Sequence, residues 1–285
     1  MHEWLIQRLV SVITSSAKSI FSHESEKSVI PMKKKIQPHI MCGLGDVARY
    51  VLLPGDPRRV EKIASFFDEA RKVADYRGFI TYSGKVNGID ITACSTGIGC
   101  PSTAIVVEEL SNIGADTLIR VGTTGAFQPE IEVGEIIVAT AAVRSDGTSR
   151  AYMPLEYPAV ADLNVVSALL KASRGSQVKV RQGIIQSSDA FYAGNDEDMK
   201  RLISGNVLSV EMESSTLFTL ASMKRMKAGT ILAVDGNLVK KIKKGEFEPG
   251  EKKGELDDRV QKAIDEEIRI AIGAVKLLDA GHSLL

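Results

Sequence analysis

The chain has 285 residues, enough for one large α/β domain or two smaller ones. Its 36 Lys and Arg residues balance 36 Asp and Glu residues, and this net charge of zero argues against a general binder of nucleic acid or membrane surfaces. No apolar run approaches the roughly 20 residues of a membrane-spanning helix. The three cysteines are too few and too scattered for a disulfide framework or a zinc site, so we expect a reducing, cytoplasmic compartment and no metal.

Residues 1–31 combine a short amphipathic helical pattern with a polar stretch rich in Ser, Lys and Glu. They lack the basic start and the small-residue cleavage site of a secretory signal. Met32 opens a Met-Lys-Lys-Lys sequence that is a second possible start. We therefore expect residues 1–31 to form an extension outside the core and residues 32–285 to form one domain.

From residue 36 onward, β-branched runs alternate with stretches whose apolar residues recur every three to four positions. Turn signals such as PGDP at 54–57 and NG at 87–88 separate them. The predicted strands are 50–53, 79–86, 89–94, 117–121, 135–140, 178–186, 207–210 and 229–234, the predicted helices begin near 58, 101, 163, 212 and 257, and the predicted loops are 144–160 and 240–255. This alternation predicts a single-domain, three-layer α/β/α fold with a central mixed, mostly parallel sheet.

The stretch 117–126 joins an apolar, β-branched half to a run of glycines and threonines, with Arg120 at the junction. This composition predicts a short buried strand whose end opens into a tight loop. A guanidinium, hydroxyls and backbone amides at a strand end suit an oxyanion, and ligands of open α/β sheets bind at that end. The same residues also fit a surface arginine on an edge strand followed by a simple turn. The stretch alone leaves both interpretations open.

Two common phosphate-binding sequences are absent. Gly97-Ile98-Gly99 lacks the third glycine of a dinucleotide-binding loop, and no phosphate-loop NTPase motif occurs. A phosphate site in this chain would therefore be assembled from separate loops.

Four segments occur together in one order: PGDPRR at 54–59, STGIGCPS at 95–102, RVGTTGA at 120–126 and VEMES at 210–214. Together they resemble the nucleoside phosphorylase family of the uridine phosphorylase and hexameric purine nucleoside phosphorylase type. The resemblance extends from His39 to the C-terminus. VRSDG at 143–147 and PLEYPAVAD at 154–162 are similar to uridine phosphorylases, whereas PHI at 38–40 is more similar to the purine branch.

The resemblance implies phosphorolysis, in which phosphate attacks the anomeric carbon of a nucleoside and gives ribose 1-phosphate and a free base. Such transfers have an oxocarbenium-like transition state, so catalysis depends on positioning and electrostatics. The resemblance assigns phosphate to Gly55, Arg59, Arg120 and Thr123, with Arg77 lent by a dimer partner. Three guanidiniums around one phosphate would form a strong anion site. The alternative for Arg59 and Arg77 is a solvated surface.

Ribose binding is assigned by the same resemblance to four residues. Glu213 would accept hydrogen bonds from the sugar hydroxyls, and Met212 would pack against the apolar sugar face. Glu211 belongs to the same segment, and His39 would reach the ribose of a neighbouring subunit. Both glutamates also suit a helix N-terminus without any ligand.

Base binding is assigned to Thr124, Gly125, Phe191 and Asn195. Uridine phosphorylases carry a glutamine and, two positions on, an arginine, where this chain has Asn195 and Glu197. Asn195 can present an acceptor and donors to a pyrimidine, whereas an ionised Glu197 cannot donate to the oxygens of uracil.

A second departure lies at the end of the last strand. Purine-branch enzymes have Ser-Asp there and uridine enzymes an arginine, whereas this chain has Asp235-Gly236, with Gly236 at the aligned position. A one-residue adjustment would let Asp235 act as the general acid, and catalysis is then assigned to Asp235, Arg59 and Arg120. The alternative for Asp235 is a turn or helix cap.

These residues favour a phosphorylase acting on uridine. The alternatives are a purine or broad-specificity phosphorylase, a nucleosidase that uses water, and a non-catalytic nucleoside-binding protein on the same scaffold. The retained arginines argue against the nucleosidase, because a hydrolase needs no site for a phosphate dianion. The resemblance implies no cofactor, and Gly78 stands where some uridine phosphorylases have a cation-binding glutamate. It also implies a homo-oligomer, a hexamer built as a trimer of dimers.

Overall fold

The computed structural model describes residues 35–242 and 258–281. The predicted extension at 1–31 and most of the predicted loop at 240–255 lie outside the described residues. Among the helices within these ranges, none is both long enough and apolar enough to cross a membrane.

The first half of the described chain alternates strands with two helices. These elements are β1 (Tyr50–Leu53), α1 (Pro57–Ala64), β2 (Glu69–Tyr76), β3 (Phe79–Val86), β4 (Ile89–Cys94), α2 (Cys100–Ser111) and β5 (Thr117–Ala126). The predicted β3–β4 hairpin is confirmed: Asn87 and Gly88 have φ of 51° and 81°, as a two-residue hairpin turn of type I′ requires. Strand β2 was not predicted, because it is mostly exposed and so shows no alternation of apolar and polar residues.

The second half contains ten further elements. They are β6 (Ile136–Ser145), α3 (Thr148–Tyr152), β7 (Ala159–Val160), α4 (Leu163–Ala172), β8 (Val180–Ser188), α5 (Asp196–Ser204), β9 (Ser209–Glu211), α6 (Ser214–Met223), β10 (Lys227–Asn237) and α7 (Asp258–Asp279). The predicted loop at 144–160 is wrong in part, since it contains the end of β6, α3 and β7. Helix α5 was not predicted: its short apolar stripe, Met199, Leu202 and Ile203, is only half-buried, and none of its residues is fully buried.

All ten strands form one mixed sheet. Pairing is parallel along β4–β1–β5–β10 and along β6–β8–β9, and antiparallel elsewhere. Because β5 pairs with both β10 and β9, the strands β5, β10, β6, β8 and β9 close into a ring, and β1, β4, β3 and β2 extend from it. Helices α4 and α7 pack against β10, and α2 packs against α6. The predicted α/β class with a mixed sheet is confirmed.

Strand β5 changes neighbours in its middle, on the edge opposite β10. Strand β1 pairs with it up to the Leu53–Arg120 match, and β9 pairs with it only from Gly125 onward. Within the described chain, residues 121–124 therefore have no strand partner on that edge. A sheet that divides in this way opens a crevice beside the carboxyl ends of its strands, where α/β proteins commonly bind ligands.

Candidate active site

Arg120 lies at the point where β1 leaves β5. It is 5% exposed and belongs to a central strand, so the alternative of a surface arginine on an edge strand is wrong. The expectation that the Gly-Thr run forms a loop is also wrong. Strand β10 pairs with β5 along its whole length, and the backbone hydrogen bonds hold residues 122–125 extended.

Two buried carboxylates hold the Arg120 guanidinium. Its Nε donates to Glu211 Oε2 at 2.8 Å, and its Nη2 forms an ion pair with Glu213. Burial disfavours the charged guanidinium, but Glu213 and Glu211 outweigh it and raise the pKa of Arg120. The side chain is therefore a permanent cation with a fixed direction.

Each carboxylate is held in turn by donors from other segments. Glu211 accepts from Ser187 Oγ at 2.5 Å and from the backbone amide of Ser214 at 3.0 Å. Glu213 accepts from the Gly99 amide at 2.6 Å, which ties it to the loop before α2. Burial raises the pKa of Glu213, Arg120 opposes this rise and Glu211 adds to it.

One nitrogen of Arg120 is left for another partner. Nη1 is buried and makes no hydrogen bond to the described residues. A Cβ placed on Gly55 would lie 3.7 Å from this nitrogen and 3.2 Å from the Gly97 carbonyl oxygen, so a side chain at position 55 would occupy the space in front of it. A buried donor without a partner beside a bare backbone is the arrangement expected of an anion site.

Arg59 lies next to Arg120. It projects from α1, which Asp56 caps by accepting from the Arg58 amide at 2.9 Å. Its Nη1 is 3.5 Å from the Val121 carbonyl oxygen, on the unpaired edge of β5, and 3.7 Å from Glu267 Oε1. The structure thus gathers three of the residues assigned to phosphate, Gly55, Arg59 and Arg120, in one place.

The other two residues assigned to phosphate, Thr123 and Arg77, are positioned differently from Gly55, Arg59 and Arg120. Thr123 lies on the same edge of β5 and is half-buried. Arg77 is exposed in the β2–β3 turn with a positive φ of 53°, and its Cζ lies 5.7 Å from the centre of the Tyr76 ring. Within the described ranges Arg77 forms no ion pair with Glu211, Glu213 or Glu267, the carboxylates that contact Arg120 and Arg59.

The ribose candidates occupy two places. Met212 is half-buried between Glu211 and Glu213, and its carbonyl oxygen accepts from Cys100 Sγ at 3.2 Å. Burial raises the pKa of Cys100 to about 12, which leaves its thiol protonated and unsuited to act as a nucleophile. His39 is separate: its Nδ1 lies 2.6 Å from Glu109 Oε1.

The Glu109 contact orients His39. Glu109 is 6% exposed on α2 and also accepts from the backbone amides of His39 and Ile40. These three contacts hold the segment before β1 and leave Nε2 of the imidazole as the nitrogen that faces away from Glu109.

The base candidates are only partly assembled. Thr124 Oγ1 donates to the Val210 carbonyl at 2.7 Å, and a Cβ on Gly125 would lie 2.6 Å from Leu238 Cδ1, so Leu238 covers that glycine. Phe191 is 61% exposed, away from the Arg120 cluster's buried groups. Asn195 caps α5: its Oδ1 accepts from the Asp198 amide at 2.8 Å.

Asn195 and Glu197 therefore have local roles in this structure. The Nδ2 of Asn195 also contacts Asp198, at 2.6 Å from Oδ2, and Glu197 pairs with Arg201 at 3.0 Å. The Asn195 amide and the Glu197 carboxylate therefore contact residues of α5.

Asp235 is the extra residue of a β-bulge. Val234 lies opposite Thr124 and Gly236 lies opposite Gly125, so the register shifts by one residue at Asp235. A bulge redirects one side chain and interrupts the ladder. Asp235 is half-buried, and its role as general acid stays a prediction.

Sequence reasoning missed several residues that shape the site. Ser187, Glu109 and Glu267 act only through contacts with distant segments, and nothing in their neighbouring sequence marks them. Arg144 and Asp146 belong to a segment that carried the resemblance, yet they are structural. Asp146 is buried, and hydrogen bonds from Ser215 and Ser149 outweigh its burial and lower its pKa.

A mixed sheet with a buried arginine–glutamate cluster beside the unpaired stretch of β5 defines an α/β protein with a candidate anion site. The family model of the phosphorylase superfamily matches residues 49–274, and the chain belongs to this superfamily.

Individual relatives agree with the family. The chain is 50% identical to the uridine phosphorylase of Thermococcus kodakarensis over 217 residues, which covers 72% of this chain and 78% of that protein. It is 42% identical to the guanosine phosphorylase of Halorubrum lacusprofundi over 242 residues, covering 85% of this chain and 99% of that protein. The crystal structure of uridine phosphorylase from Vibrio fischeri superposes with a TM-score of 0.75 at 33% identity, covering 87% of this chain and 99% of that one.

Proposed function

We propose that this protein is a nucleoside phosphorylase that cleaves uridine with inorganic phosphate to ribose 1-phosphate and uracil. The observation that carries the proposal is the Arg120 guanidinium, which is fixed by Glu211 and Glu213 while its Nη1 has no hydrogen-bond partner in the described part of the chain and faces Gly55. Relatives that are 40–50% identical carry the name uridine phosphorylase.

In this proposal phosphate lies between Arg120, Arg59 and the Gly55 amide, with Thr123 on the open edge of β5. A phosphate oxygen attacks the anomeric carbon while the bond from that carbon to the base breaks, and the bonding electrons leave with the base. Glu213 accepts from the ribose hydroxyls, and Met212 packs against the sugar. Fixed charges of this kind stabilise a charged transition state without reorganising during the reaction.

A purine nucleoside is the second candidate substrate. Asp235 belongs to a β-bulge of β10 opposite Gly125, and a carboxylic acid there could protonate a departing purine. Asn195 and Glu197 are engaged within α5 rather than arranged as the uracil-reading pair. The 42% identical Halorubrum relative carries the name guanosine phosphorylase.

The test is a phosphorolysis panel on uridine, thymidine, inosine, guanosine, adenosine and methylthioadenosine, each with and without phosphate. We expect phosphate-dependent release of uracil. Turnover that survives removal of phosphate would identify a nucleosidase. Binding of nucleosides without turnover would identify a non-catalytic binding protein.

Arg120→Ala tests the site itself. Loss of a preorganised charged group at the transition state should lower kcat/KM by at least about a hundredfold. Arg181→Ala is the control, because Arg181 lies on β8, away from Arg120, and pairs with Glu135 at 2.5 Å. Activity within a few fold of the parent protein in Arg120→Ala would show that the assignment is wrong.

We further propose that the active unit is a homodimer within a hexamer, with Arg77 and His39 completing a neighbouring site. Arg77 is exposed in a turn outside its own chain's cluster, which supports this proposal. Co-expression of Arg77→Ala with Arg120→Ala should restore activity, because each mixed dimer contains one site with both arginines. If the mixture stays as inactive as either variant, Arg77 does not act across an interface.

The remaining proposals concern the whole chain. Residues 32–285 form the catalytic domain, the compartment is the cytoplasm, and phosphate as co-substrate leaves no chemical step that needs a metal or organic cofactor. The three cysteines are buried free thiols, which suits a reducing compartment. Activity that is unchanged by deletion of residues 1–31 would support the domain assignment. Activity that is unchanged by EDTA would support the absence of a metal requirement.

A further inference from the structure

The C-terminal helix α7 carries a buried charge among apolar neighbours. Its other buried residues are all Val, Ala or Ile, whereas Glu267 is a carboxylate with 0% exposure. Neither of its oxygens makes a hydrogen bond of normal geometry to the described residues. A buried, poorly satisfied carboxyl destabilises a fold, so an apolar residue would serve packing better at this position.

The surroundings of Glu267 connect it to the active site. Its Oε1 lies 3.7 Å from Arg59 Nη1, and that guanidinium otherwise contacts the Val121 carbonyl at 3.5 Å. The positive charges of Arg59 and Arg120 and the Ala233 amide favour the ionised form of Glu267, whereas the negative charge of Asp235 disfavours it. Glu267 therefore lies close to both arginines assigned to phosphate.

We propose that Glu267 is a positioning residue that holds Arg59 against the phosphate subsite, an inference that rests on the proposed phosphorylase function. Arginine has a long side chain with many rotamers, and a fixed contact reduces the entropy lost when a ligand binds. Among the residues that the structure describes, the Arg59 side chain has two polar contacts, at 3.5 and 3.7 Å, and Glu267 supplies the second from helix α7.

The complete burial of Glu267 separates its role from that of a ligand contact in the crevice. A carboxylate facing the phosphate would repel it, whereas one on the far side of the guanidinium orients the cation without touching the anion. The neutral carboxyl also keeps a carbonyl acceptor, so the contact does not require ionisation. Burial raises the pKa of Glu267 well above the ordinary value, and the neighbouring cations only partly oppose this.

The test uses three substitutions of Glu267 in the full chain. Glu267→Met removes the acceptor at similar volume and should raise the KM for phosphate at least about fivefold, the size expected for a weakened contact to a charged group. The kcat and the nucleoside KM should stay within about twofold. Glu267→Gln keeps a carbonyl acceptor and should restore the phosphate KM to within about twofold of the parent value.

Glu266→Met is the matched control, since Glu266 is the adjacent residue of α7 and faces Arg269 at 3.7 Å instead. It should leave the phosphate KM unchanged. If Glu267→Met does not fold, Glu267→Asp withdraws the carboxyl by one methylene and should raise the phosphate KM in the same way.

A double mutant then tests whether Glu267 acts through Arg59. Phosphate binding is measured by calorimetry without nucleoside for Arg59→Ala, Glu267→Met and the combination. We expect Glu267→Met to cause no further loss when Arg59 is already alanine. Additive losses, or an unchanged phosphate KM in Glu267→Met, would overturn the inference.

The two proposals fail in different ways. A parent protein that turns over nucleosides only with phosphate, together with an unaffected Glu267→Met, removes this inference alone. A parent protein that cleaves nucleosides equally well without phosphate removes the phosphorylase function.

Discussion

Arg120 Nε lies 2.8 Å from Glu211 Oε2, and this ion pair joins the middle of β5 to the end of β9. The two residues are 91 positions apart, and both side chains are almost fully buried. The pair spans the place where β5 has lost β1 and has not yet met β9. It therefore holds the crevice open and fixes the direction of the guanidinium within it.

Gly122→Ala should disturb this guanidinium without removing it. A Cβ on Gly122 would lie 2.9 Å from both Arg120 Cζ and Arg120 Nη2, closer than real Cβ contacts allow. Displacement of a catalytic charge by a fraction of an ångström should lower kcat/KM about tenfold or more. Gly205→Ala is the control, because its nearest atoms are 3.4 Å away at the end of α5. Equal kinetics for the two variants would contradict the prediction.

Asp235→Asn should separate the two candidate substrates. Asparagine keeps the shape of aspartate but cannot donate an acidic proton. If Asp235 protonates a departing purine, kcat for guanosine should fall about a hundredfold or more while kcat for uridine changes little. The measurement is kcat for both nucleosides at saturating phosphate. An equally small change in kcat for both nucleosides would show that Asp235 is not the general acid.

Glu267 should make the stability of the protein depend on pH. Because its pKa is raised in the folded state, mainly by burial, the folded protein binds more protons than the unfolded chain between the two pKa values. The free energy of unfolding should then be highest below the unfolded pKa of about 4.5 and should fall as pH rises through the folded one. Other carboxylates contribute at low pH, so the comparison is between variants.

The measurement is urea unfolding of the parent protein and Glu267→Gln between pH 5 and 9. The difference in unfolding free energy should favour Glu267→Gln increasingly as pH rises, because the amide cannot ionise. A constant difference across the range would show that Glu267 does not titrate there.

Arg144→Met should destabilise the fold. Arg144 is buried and donates to the backbone carbonyls of Ser149, Met153 and Tyr157 at 2.8, 2.8 and 2.6 Å, so it organises the segment between β6 and β7. Its removal takes this donor away from all three carbonyls, of which, within the described ranges, only that of Ser149 also accepts from a backbone amide, and should lower the unfolding free energy by about 3 kcal/mol or more. Arg150→Met, an exposed neighbour, should change it by less than about 1 kcal/mol. Equal unfolding midpoints would contradict the prediction.

Local patterns predicted much of the fold. The β3–β4 hairpin followed from the Asn87-Gly88 turn between alternating strands, and helix α4 followed from its apolar periodicity between residues 163 and 172. Strand β2 was missed because it is largely exposed and carries no apolar alternation, and helix α5 because its apolar stripe is short and only half-buried. The residues 122–125 were predicted to be a loop because glycine and threonine favour turns, and the pairing with β10 overrides that preference.

The sequence by itself determined the chemistry available to this protein: the arginines 59 and 120, the glutamates 211 and 213, the glycine at 55, and an order of motifs typical of nucleoside phosphorylases. Only the tertiary structure decided how these groups are used. The exchange of β1 for β9 along β5, the Arg120–Glu211 pair, the bulge at Asp235 and the burial of Glu267 beside Arg59 all join segments far apart in the chain. Strand pairing and burial set these contacts, and neither has a signature in neighbouring residues.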